Sequence, residues 1–533
     1  MTTRRGNRVG PGLRRQRASR VLVVALAHGI GLALAGCEGQ GDDGAGLVIR
    51  NAPIAERCTP GGRPFPSGLA VLSEAVARAA LVQSEPPGLL VYGIEAPEPV
   101  PFTFVNIGTD SDGDGRDDAA AMAEVSGRAL RPTMGGIRAL DDGLALVSTS
   151  NYEQVLFADP STGAPIEVAI EVPGAIPPER FPLLPPPGSA ASRTGLSTLA
   201  CVAPTTDVDS SGRPIEPEPR CDADAPSYRT TLTAGASVAG GRLFVATSNL
   251  LRGSRFLPGT VLVFDWETGP TGITVRPVVE PAMLFTTGFN PTGVARVVTP
   301  GGRELVLVTV TGVIGSGSGA GNVQSDAAID VIDPVAARLV ATIPLERAGP
   351  AFDAPAVDAA GRIAWLGASS QRQLYAVDLR ALDAPGLLAG GGPPVVLDGA
   401  TTGFPDARVF DGDRPLVLPA RGDGRAGSCE GFTHVALNRA ASEVFATDFC
   451  DGTFTRVRLD LAGDPPIPYP RERFQVAGQS APFAPNDAIG ELRTPGELAV
   501  RQGVPGVDFT TPDVLVLAGQ PDGHLCALRV ESP

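Results

Sequence analysis

The chain has 533 residues, of which 43 are basic and 58 acidic, so its formal net charge is −15 at pH 7. Such a surface repels nucleic acid phosphates and anionic lipid headgroups, and neither is a predicted partner. The 66 glycines and 52 prolines are typical of many short strands and turns and disfavour long helices, while 43% hydrophobic residues are enough for a large core.

The first 36 residues have the pattern of an export signal. Seven arginines and no acid occupy residues 1–20, and residues 21–35 form an apolar stretch too short to span a bilayer, which takes about 20 residues. The stretch ends in Leu-Ala-Gly-Cys37, which resembles the bacterial lipobox. That resemblance implies cleavage before Cys37, a diacylglycerol on its sulfur and a fatty acyl chain on its new amine. The alternative is a plain signal peptide followed by a chance cysteine.

The lipid anchor predicts where the protein resides. Several acyl chains give stable membrane attachment, and residues 37–57 form the predicted tether. Glu38 follows the cysteine in place of the aspartate that retains some lipoproteins at the inner membrane, which favours the outer membrane. We therefore expect a protein of the cell envelope, held to the membrane through its lipid, with a mature net charge of −22.

An acidic loop at residues 110–118 is similar to the calcium loops of EF-hand and thrombospondin type 3 repeats. The predicted ligands are the side-chain oxygens of Asp110, Asp112, Asp114 and Asp118 and the backbone carbonyl of Arg116. Position 12 of the loop is Ala121, where an EF-hand has glutamate, so Glu124 or water would have to substitute. The loop predicts a structural calcium ion, with a solvated acidic loop as the alternative. A weaker copy at residues 207–218 is interrupted by prolines.

A pattern of two neighbouring strands, often followed by an aspartate and a turn, recurs seven times along the chain. The copies lie at residues 79–95, 144–159, 243–265, 305–333, 363–378, 444–460 and 514–530. A further short strand and an Asp-Gly or Gly-Gly turn precede several of them, which is hairpin chemistry. Each unit therefore predicts a four-stranded antiparallel sheet. One such sheet cannot bury both of its faces alone. Sheets repeated around a central axis bury their faces against one another, so we predict an all-β, seven-bladed β-propeller.

Two of these segments, residues 147–163 and 290–309, look like the YVTN-type β-propeller repeats of secreted and surface proteins, although no copy spells the tetrapeptide. The resemblance implies an architecture and no activity. We place the propeller at residues 58–533, with a proline-rich insertion at about 173–228. The last unit lacks an outer strand, and an N-terminal segment near residues 47–50 is predicted to supply it and close the ring.

Six cysteines besides Cys37 suggest three disulfides among 15 possible pairings in an exported chain. The propeller arrangement favours three disulfide bonds. One joins neighbouring strands of a hairpin, one lies within the insertion, and one links the N-terminal strand to the last unit. The predicted pairs are Cys429 with Cys450, Cys201 with Cys221 and Cys58 with Cys526.

Residues for catalysis are scarce. The mature chain has only His434, predicted on an inner strand, and His524, predicted farther out, and it has no nucleophile elbow, phosphate loop or dinucleotide fingerprint. No catalytic residue is assigned. Residues 421–423 are Arg-Gly-Asp, the tripeptide of adhesion ligands, and this match is attributed to chance. The favoured function is a non-enzymatic interaction module for an envelope protein or glycan. The alternative is a lactonase-like hydrolase or lyase acting at the central channel, since fold alone does not decide.

Overall fold

The computed structural model describes the chain in segments that together form almost only β-strands. These are residues 49–51, 57–58, 66–73, 78–84, 87–93, 99–104, 134–140, 144–149, 154–159, 162–176, 181, 183–200, 229–251, 255–270, 272–314, 323–325, 327–345, 354–358, 360–368, 373–401, 403–410, 416–417, 432–437, 443–448, 453–460, 467–475, 495–501, 514–519 and 525–529. In these segments no helix is both long and apolar enough to cross a membrane.

The first half of the chain forms two short N-terminal strands and three sheets. The strands are β1 (Ile49–Asn51), β2 (Arg57–Cys58), β3 (Pro66–Ser73), β4 (Arg78–Ser84), β5 (Pro87–Gly93), β6 (Pro99–Phe104), β7 (Met134–Ala139), β8 (Ala145–Thr149), β9 (Gln154–Ala158), β10 (Val168–Glu171), β11 (Ala190–Arg193), β12 (Gly195–Ser197), β13 (Arg229–Ala239), β14 (Arg242–Leu251), β15 (Arg255–Gly269), β16 (Gly272–Pro277) and β17 (Met283–Phe289).

The second half forms four more large sheets and a separate two-stranded sheet. The strands are β18 (Pro291–Val298), β19 (Glu304–Val310), β20 (Val313–Ile314), β21 (Val323–Ser325), β22 (Ala327–Asp333), β23 (Arg338–Leu345), β24 (Ala356–Val357), β25 (Ile363–Ala368), β26 (Gln373–Asp378), β27 (Val395–Val396), β28 (Leu416–Val417), β29 (Phe432–Leu437), β30 (Glu443–Asp448), β31 (Thr453–Asp460), β32 (Ile467–Gln475), β33 (Pro495–Arg501), β34 (Val514–Gly519) and β35 (Leu525–Arg529). A 3₁₀ helix, Leu379–Asp383, follows β26.

Each blade is a four-stranded antiparallel meander, named from its innermost strand outwards. The seven are β3-β4-β5-β6, β7-β8-β9-β12, β13-β14-β15-β16, β18-β19-β22-β23, β24-β25-β26-β28, β29-β30-β31-β32 and β33-β34-β35-β2. The first strands of most successive blades lie beside one another, and β33 of the last blade lies beside β3 of the first, so the ring closes. The described residues confirm the predicted seven-bladed propeller.

The hydrophobic core lies between the blades. One cluster joins Val82 and Leu89 of the first blade to Val147 of the second, and the next joins Phe157 of the second blade to Phe264 of the third. Equivalent clusters join the third blade to the fourth, the fourth to the fifth and the fifth to the sixth. Middle strands are therefore covered on both faces, which explains why β25 is buried at every position.

An N-terminal strand closes the ring, as predicted, but it is not the segment near residues 47–50. The outermost strand of the seventh blade is β2, which pairs in antiparallel fashion with β35. The predicted closing segment near residues 47–50 overlaps β1, which pairs in parallel with β32, the outer strand of the sixth blade. The apolar run at residues 47–49 favours a strand but does not specify its partner, because pairing at a sheet edge is decided by tertiary position.

Three blades carry a fifth strand in parallel with their outer strand. On the sixth blade it is β1, on the third it is β10, and on the fourth it is β27. The third blade is extended further by β11, which is antiparallel to β10. Each added strand comes from another part of the chain and covers backbone groups that would otherwise form an open edge.

A hairpin that begins just before the proline-rich insertion leaves the second blade and returns to it. β10 and β11 join the sheet of the third blade, and β12 then pairs with β9 to complete the second. The range predicted for the insertion, about 173–228, thus includes the outer strand of a blade. Tertiary pairing defines such a three-residue strand, and no local pattern marks it.

Candidate functional site

Most of the residues that the sequence singles out lie outside the described residues. These are Cys37, the acidic loop with Asp110, Asp112, Asp114, Arg116 and Asp118, the cysteines Cys201, Cys221, Cys429 and Cys450, and His524. His434 lies on the innermost strand of the sixth blade, opposite Thr447, and is partly buried. Within the described residues no three His, Cys, Asp or Glu side chains form a group that could hold a metal ion.

Among the described residues, the most extensive irregular segment lies within residues 379–410, which we call the rim insertion. It leaves the fifth blade after β26 and carries β27 to the outer edge of the fourth blade, where Val395 lies opposite Ala341. The backbone N–H of Leu397 donates to the carbonyl of Thr342 at 2.9 Å and extends this pairing. The rim insertion therefore bridges two blades on the outside of the ring.

Polar contacts fix the start of the rim insertion. The carboxylate of Asp383 accepts hydrogen bonds from Thr299 Oγ1 at 2.5 Å and from the backbone N–H of Gly301 at 2.7 Å. Arg303 Nη1 donates to the carbonyls of Leu382 at 2.9 Å and Ala384 at 3.2 Å. All these partners lie in the turn between β18 and β19, so the fourth blade holds the 3₁₀ helix of the fifth.

The remainder of the rim insertion is ordered by buried apolar side chains and short turns. Leu387 and Leu397 are buried in the core shared by the fourth and fifth blades, and Arg338 donates to the carbonyls of Leu388 and Gly390. Asp398 accepts from the backbone N–H of Ala400 at 2.8 Å, which closes a turn. The segment is thus anchored along its length, although it contains no regular strand longer than two residues.

Between these anchors the rim insertion exposes two tips. The first is residues 389–393, Ala-Gly-Gly-Gly-Pro, all of them exposed. The second includes Gly399 and Ala400, and Val396 beside it is 38% exposed. A Cβ added at Gly391 or Gly392 would meet nothing within 4 Å, so these positions face open space. A partner that docks here would meet backbone groups and small apolar side chains.

The hairpin of the other insertion presents charged side chains. Arg276 of β16 forms ion pairs with Glu171 of β10 at 2.5 Å and with Glu267 of β15 at 3.1 Å. Hydrogen bonds from the guanidinium to Glu171 and then to Glu267 raise the pKa of Arg276. Because the group stays charged at every physiological pH, the contact stabilises the added strand without acting as a switch.

One acid that the sequence pattern did not single out is fully buried between the third and fourth blades. Asp330, in the middle of β22, accepts hydrogen bonds from the backbone N–H of Thr287 at 2.7 Å and from Thr287 Oγ1 at 2.6 Å. Burial raises the pKa of Asp330 to about 6, against the lowering effect of Thr287 and Thr342. The available signal was an acid inside an otherwise apolar strand. Its geometry ties β17 to the fourth blade and offers no open face to a substrate.

A layer of buried hydroxyl and amide groups lies at the same junction. Ser248 Oγ donates to Asn290 Oδ1 at 2.8 Å, and Asn249 Nδ2 donates to the carbonyl of Pro258 at 2.7 Å. Thr247 Oγ1 and Thr260 Oγ1 are 2.6 Å apart. These groups satisfy one another, as buried polar groups do. Ser248 links the third blade to the start of the fourth, whereas the other two contacts join β14 to β15 within one sheet, so the layer is structural.

The seven sheets define the class of protein, a β-propeller, and comparison with known proteins adds no family. Neither a protein-family model nor a curated protein matches the sequence. Similar solved structures include the β-propeller domain of Myceliophteria thermophila Cps50 (Swd1), with 10% identity, a TM-score of 0.42 and coverage of 90% of this chain and 100% of that one. Kuenenia stuttgartiensis hydrazine synthase has 10% identity, a TM-score of 0.43 and coverage of 90% and 96%. Saccharomyces cerevisiae Sqt1 has 8% identity, a TM-score of 0.41 and coverage of 88% of this chain and 97% of that one.

Proposed function

We propose that this protein is a lipid-anchored β-propeller of the bacterial cell envelope and acts as a non-enzymatic interaction module that binds another envelope protein. The observation that carries the proposal is the rim insertion. It is held by side chains and the outer strand of the fourth blade and by backbone hydrogen bonds to the fifth, yet exposes two tips outside the ring. Exposed loops fixed on a rigid scaffold are where binding residues are concentrated in proteins.

The size of the rim insertion supports a role beyond covering an edge. β27 alone covers the outer edge of the fourth blade, and β28, which follows the insertion, completes the fifth. The exposed residues 389–393 pair with neither sheet. Glycine and proline have no side-chain rotamers to fix. Ordering the tip against a partner therefore costs little side-chain entropy.

The anchor and the calcium loop belong to the same proposal. The lipobox-like ending at Cys37 supports attachment to a membrane, with the outer membrane favoured by Glu38. The spacing of Asp110, Asp112, Asp114 and Asp118 supports a structural calcium ion. The YVTN-like segments support a secreted or surface propeller. In this arrangement the lipid holds the scaffold at the membrane and the loops select the partner.

The test is affinity purification of the full-length protein, tagged at its C-terminus, from solubilised membranes with and without a calcium chelator. We expect one or more envelope proteins to copurify reproducibly with the wild type. Replacing both Gly391 and Gly392 by Arg should reduce the recovered partner at least about tenfold. Two bulky charged side chains would then occupy a tip that has open space around it in the free protein.

A matched control distinguishes lost binding from lost folding. Gly174, on the other insertion, is also exposed, and a Cβ added there would have nothing within 4 Å. The Gly174→Arg variant should retain the partner, and all variants should keep the thermal midpoint of the wild type. Absence of any reproducible partner would contradict the proposed function, and equal recovery with every variant would place the binding surface elsewhere. Loss of the partner with the chelator alone would make binding depend on calcium.

A further inference from the structure

We propose that Cys58 and Cys526 form a disulfide bond that closes the ring covalently. β2 is the outermost strand of the seventh blade and is supplied by the N-terminal end of the propeller. It pairs in antiparallel fashion with β35, and the register places Cys58 opposite Cys526 and Arg57 opposite Ala527. The structure therefore brings together two cysteines that are separated by almost the whole propeller in sequence.

The register places the two residues at a spacing that a disulfide can span. Residues directly opposite each other in an antiparallel pair have Cα atoms about 4.5–5.5 Å apart. The Cα atoms of disulfide-bonded cysteines are usually about 4.4–6.8 Å apart. No rearrangement of the backbone is then required. A slip of one residue would place neither cysteine opposite the other, so the proposal depends on the observed register.

The short closing strand explains why a covalent bond would be useful. The described pairing of β2 with β35 covers two residues, whereas the outer strand of the sixth blade, β32, is nine residues long. Two paired residues supply few backbone hydrogen bonds to hold the ends of the chain together. A bond between residues 58 and 526 encloses most of the propeller, and such a long loop restricts the unfolded chain strongly.

The chemistry is a thiol–disulfide exchange. The two thiols lose two protons and two electrons as the S–S bond forms, and a disulfide of a thiol–disulfide oxidoreductase accepts them and becomes a dithiol. Oxidants of this class act on exported proteins, and the export signal at residues 1–36 is what directs this chain to them.

The direct test is peptide mapping of the protein isolated from the envelope, with free thiols alkylated before unfolding. The chain has no lysine, so trypsin cleaves it after arginine. We expect a linked species that joins residues 58–78 to residues 502–529 and separates on reduction. Recovery of both peptides in alkylated, unlinked form would overturn the proposal, as would a bond from Cys58 to any other cysteine.

A double-mutant cycle tests whether the proposed disulfide bond stabilises the protein. Cys58→Ser and Cys526→Ser should each lower the thermal midpoint by about 5 °C, and the double variant should lose no more than either single one, because all three lose the same bond. The difference from the wild type should vanish in reductant. Additive losses, or a difference that persists in reductant, would overturn the proposal. The matched variant with Cys201→Ser and Cys221→Ser should keep the linked peptide.

Discussion

At the scale of single residues, Asp330 shows how a polar group can be buried without becoming an active site. Its two oxygens accept from the backbone and side chain of Thr287, and Thr287 Oγ1 lies 3.2 Å from Thr342 Oγ1. This chain of hydroxyls can reverse its direction. A protonated Asp330 would donate to Thr287 Oγ1, which would then donate to Thr342, so both charge states of Asp330 are compatible with the packing.

The raised pKa of Asp330 makes the free energy of unfolding depend on pH. The pKa of Asp330 is raised to about 6 in the folded protein, above the value of about 3.9 in an unfolded chain. The folded state therefore binds the extra proton between these values, and the stability that this group contributes is lost as pH rises through about 6. Asp330→Asn, which stays neutral, should gain roughly 1–3 kcal/mol relative to wild type between pH 4 and pH 7.5.

Urea unfolding of both proteins across this pH range measures the effect. Taking the difference between variant and wild type removes the contributions of all other titrating groups. At pH 4 the two proteins should differ little, because both side chains are then neutral in the folded state. A difference that stays constant from pH 4 to pH 7.5 would show that Asp330 does not change its charge in this window.

At the scale of elements, an arginine clamp repeats between neighbouring blades. Arg242 Nη1 donates to the carbonyls of Pro334 at 3.2 Å and Val335 at 2.9 Å in the next blade. Arg303 makes the equivalent pair of bonds to Leu382 and Ala384. Each arginine follows a glycine at the start of the second strand, and Arg362 has the same position in the fifth blade. The clamp sets the orientation of one blade against the next.

The glycine before each of these arginines has a positive φ, which is +79° at Gly302 and +63° at Gly361. They differ in surroundings: a Cβ at Gly302 would meet nothing within 4 Å, whereas one at Gly361 would lie 1.8 Å from the carbonyl oxygen of Val298. Gly302→Ala should therefore cost about 1 kcal/mol from backbone strain alone. Gly361→Ala should cost roughly 3 kcal/mol or more, because the turn must also move away from the fourth blade.

Denaturant unfolding of the two variants compares these costs at the same turn position. Gly302→Ala is the matched control, since it changes the backbone preference without adding a clash. Equal losses in both variants would mean that the close approach of Gly361 to Val298 is not needed for the packing of the fourth and fifth blades.

At the scale of the whole molecule, the proposed anchor predicts a change of location. Cys37→Ala removes the sulfur that would carry the diacylglycerol, so the exported protein should move from the membrane fraction to the soluble envelope fraction. Cell fractionation with detection of a C-terminal tag measures this, and Cys201→Ala is the control for loss of a cysteine elsewhere. Retention of the Cys37→Ala variant in the membrane fraction would argue against a lipid anchor.

The architecture was predictable because the middle strands of each blade are long apolar segments bounded by turns, as at β19 and β25. The edges of the blades were not predictable in the same way. β12, β27 and β28 have three residues or fewer, and such short strands are defined by their partners and not by a local pattern. The rim insertion has the glycine- and proline-rich sequence of a linker. Its anchors could not be recognised in that sequence, because arginine side chains of the fourth blade hold it through its own backbone carbonyls.

The parallel fifth strands have a consequence for crowding. Many copies of a protein confined to one membrane meet far more often than copies free in three dimensions. Each open sheet edge is then a template on which a neighbour could add a strand and begin an aggregate. β1, β10 and β27 occupy that template on the sixth, third and fourth blades with segments of the same chain. With the proposed membrane anchor, self-pairing at these edges would keep the copies separate and leave the exposed tips available for the proposed partner.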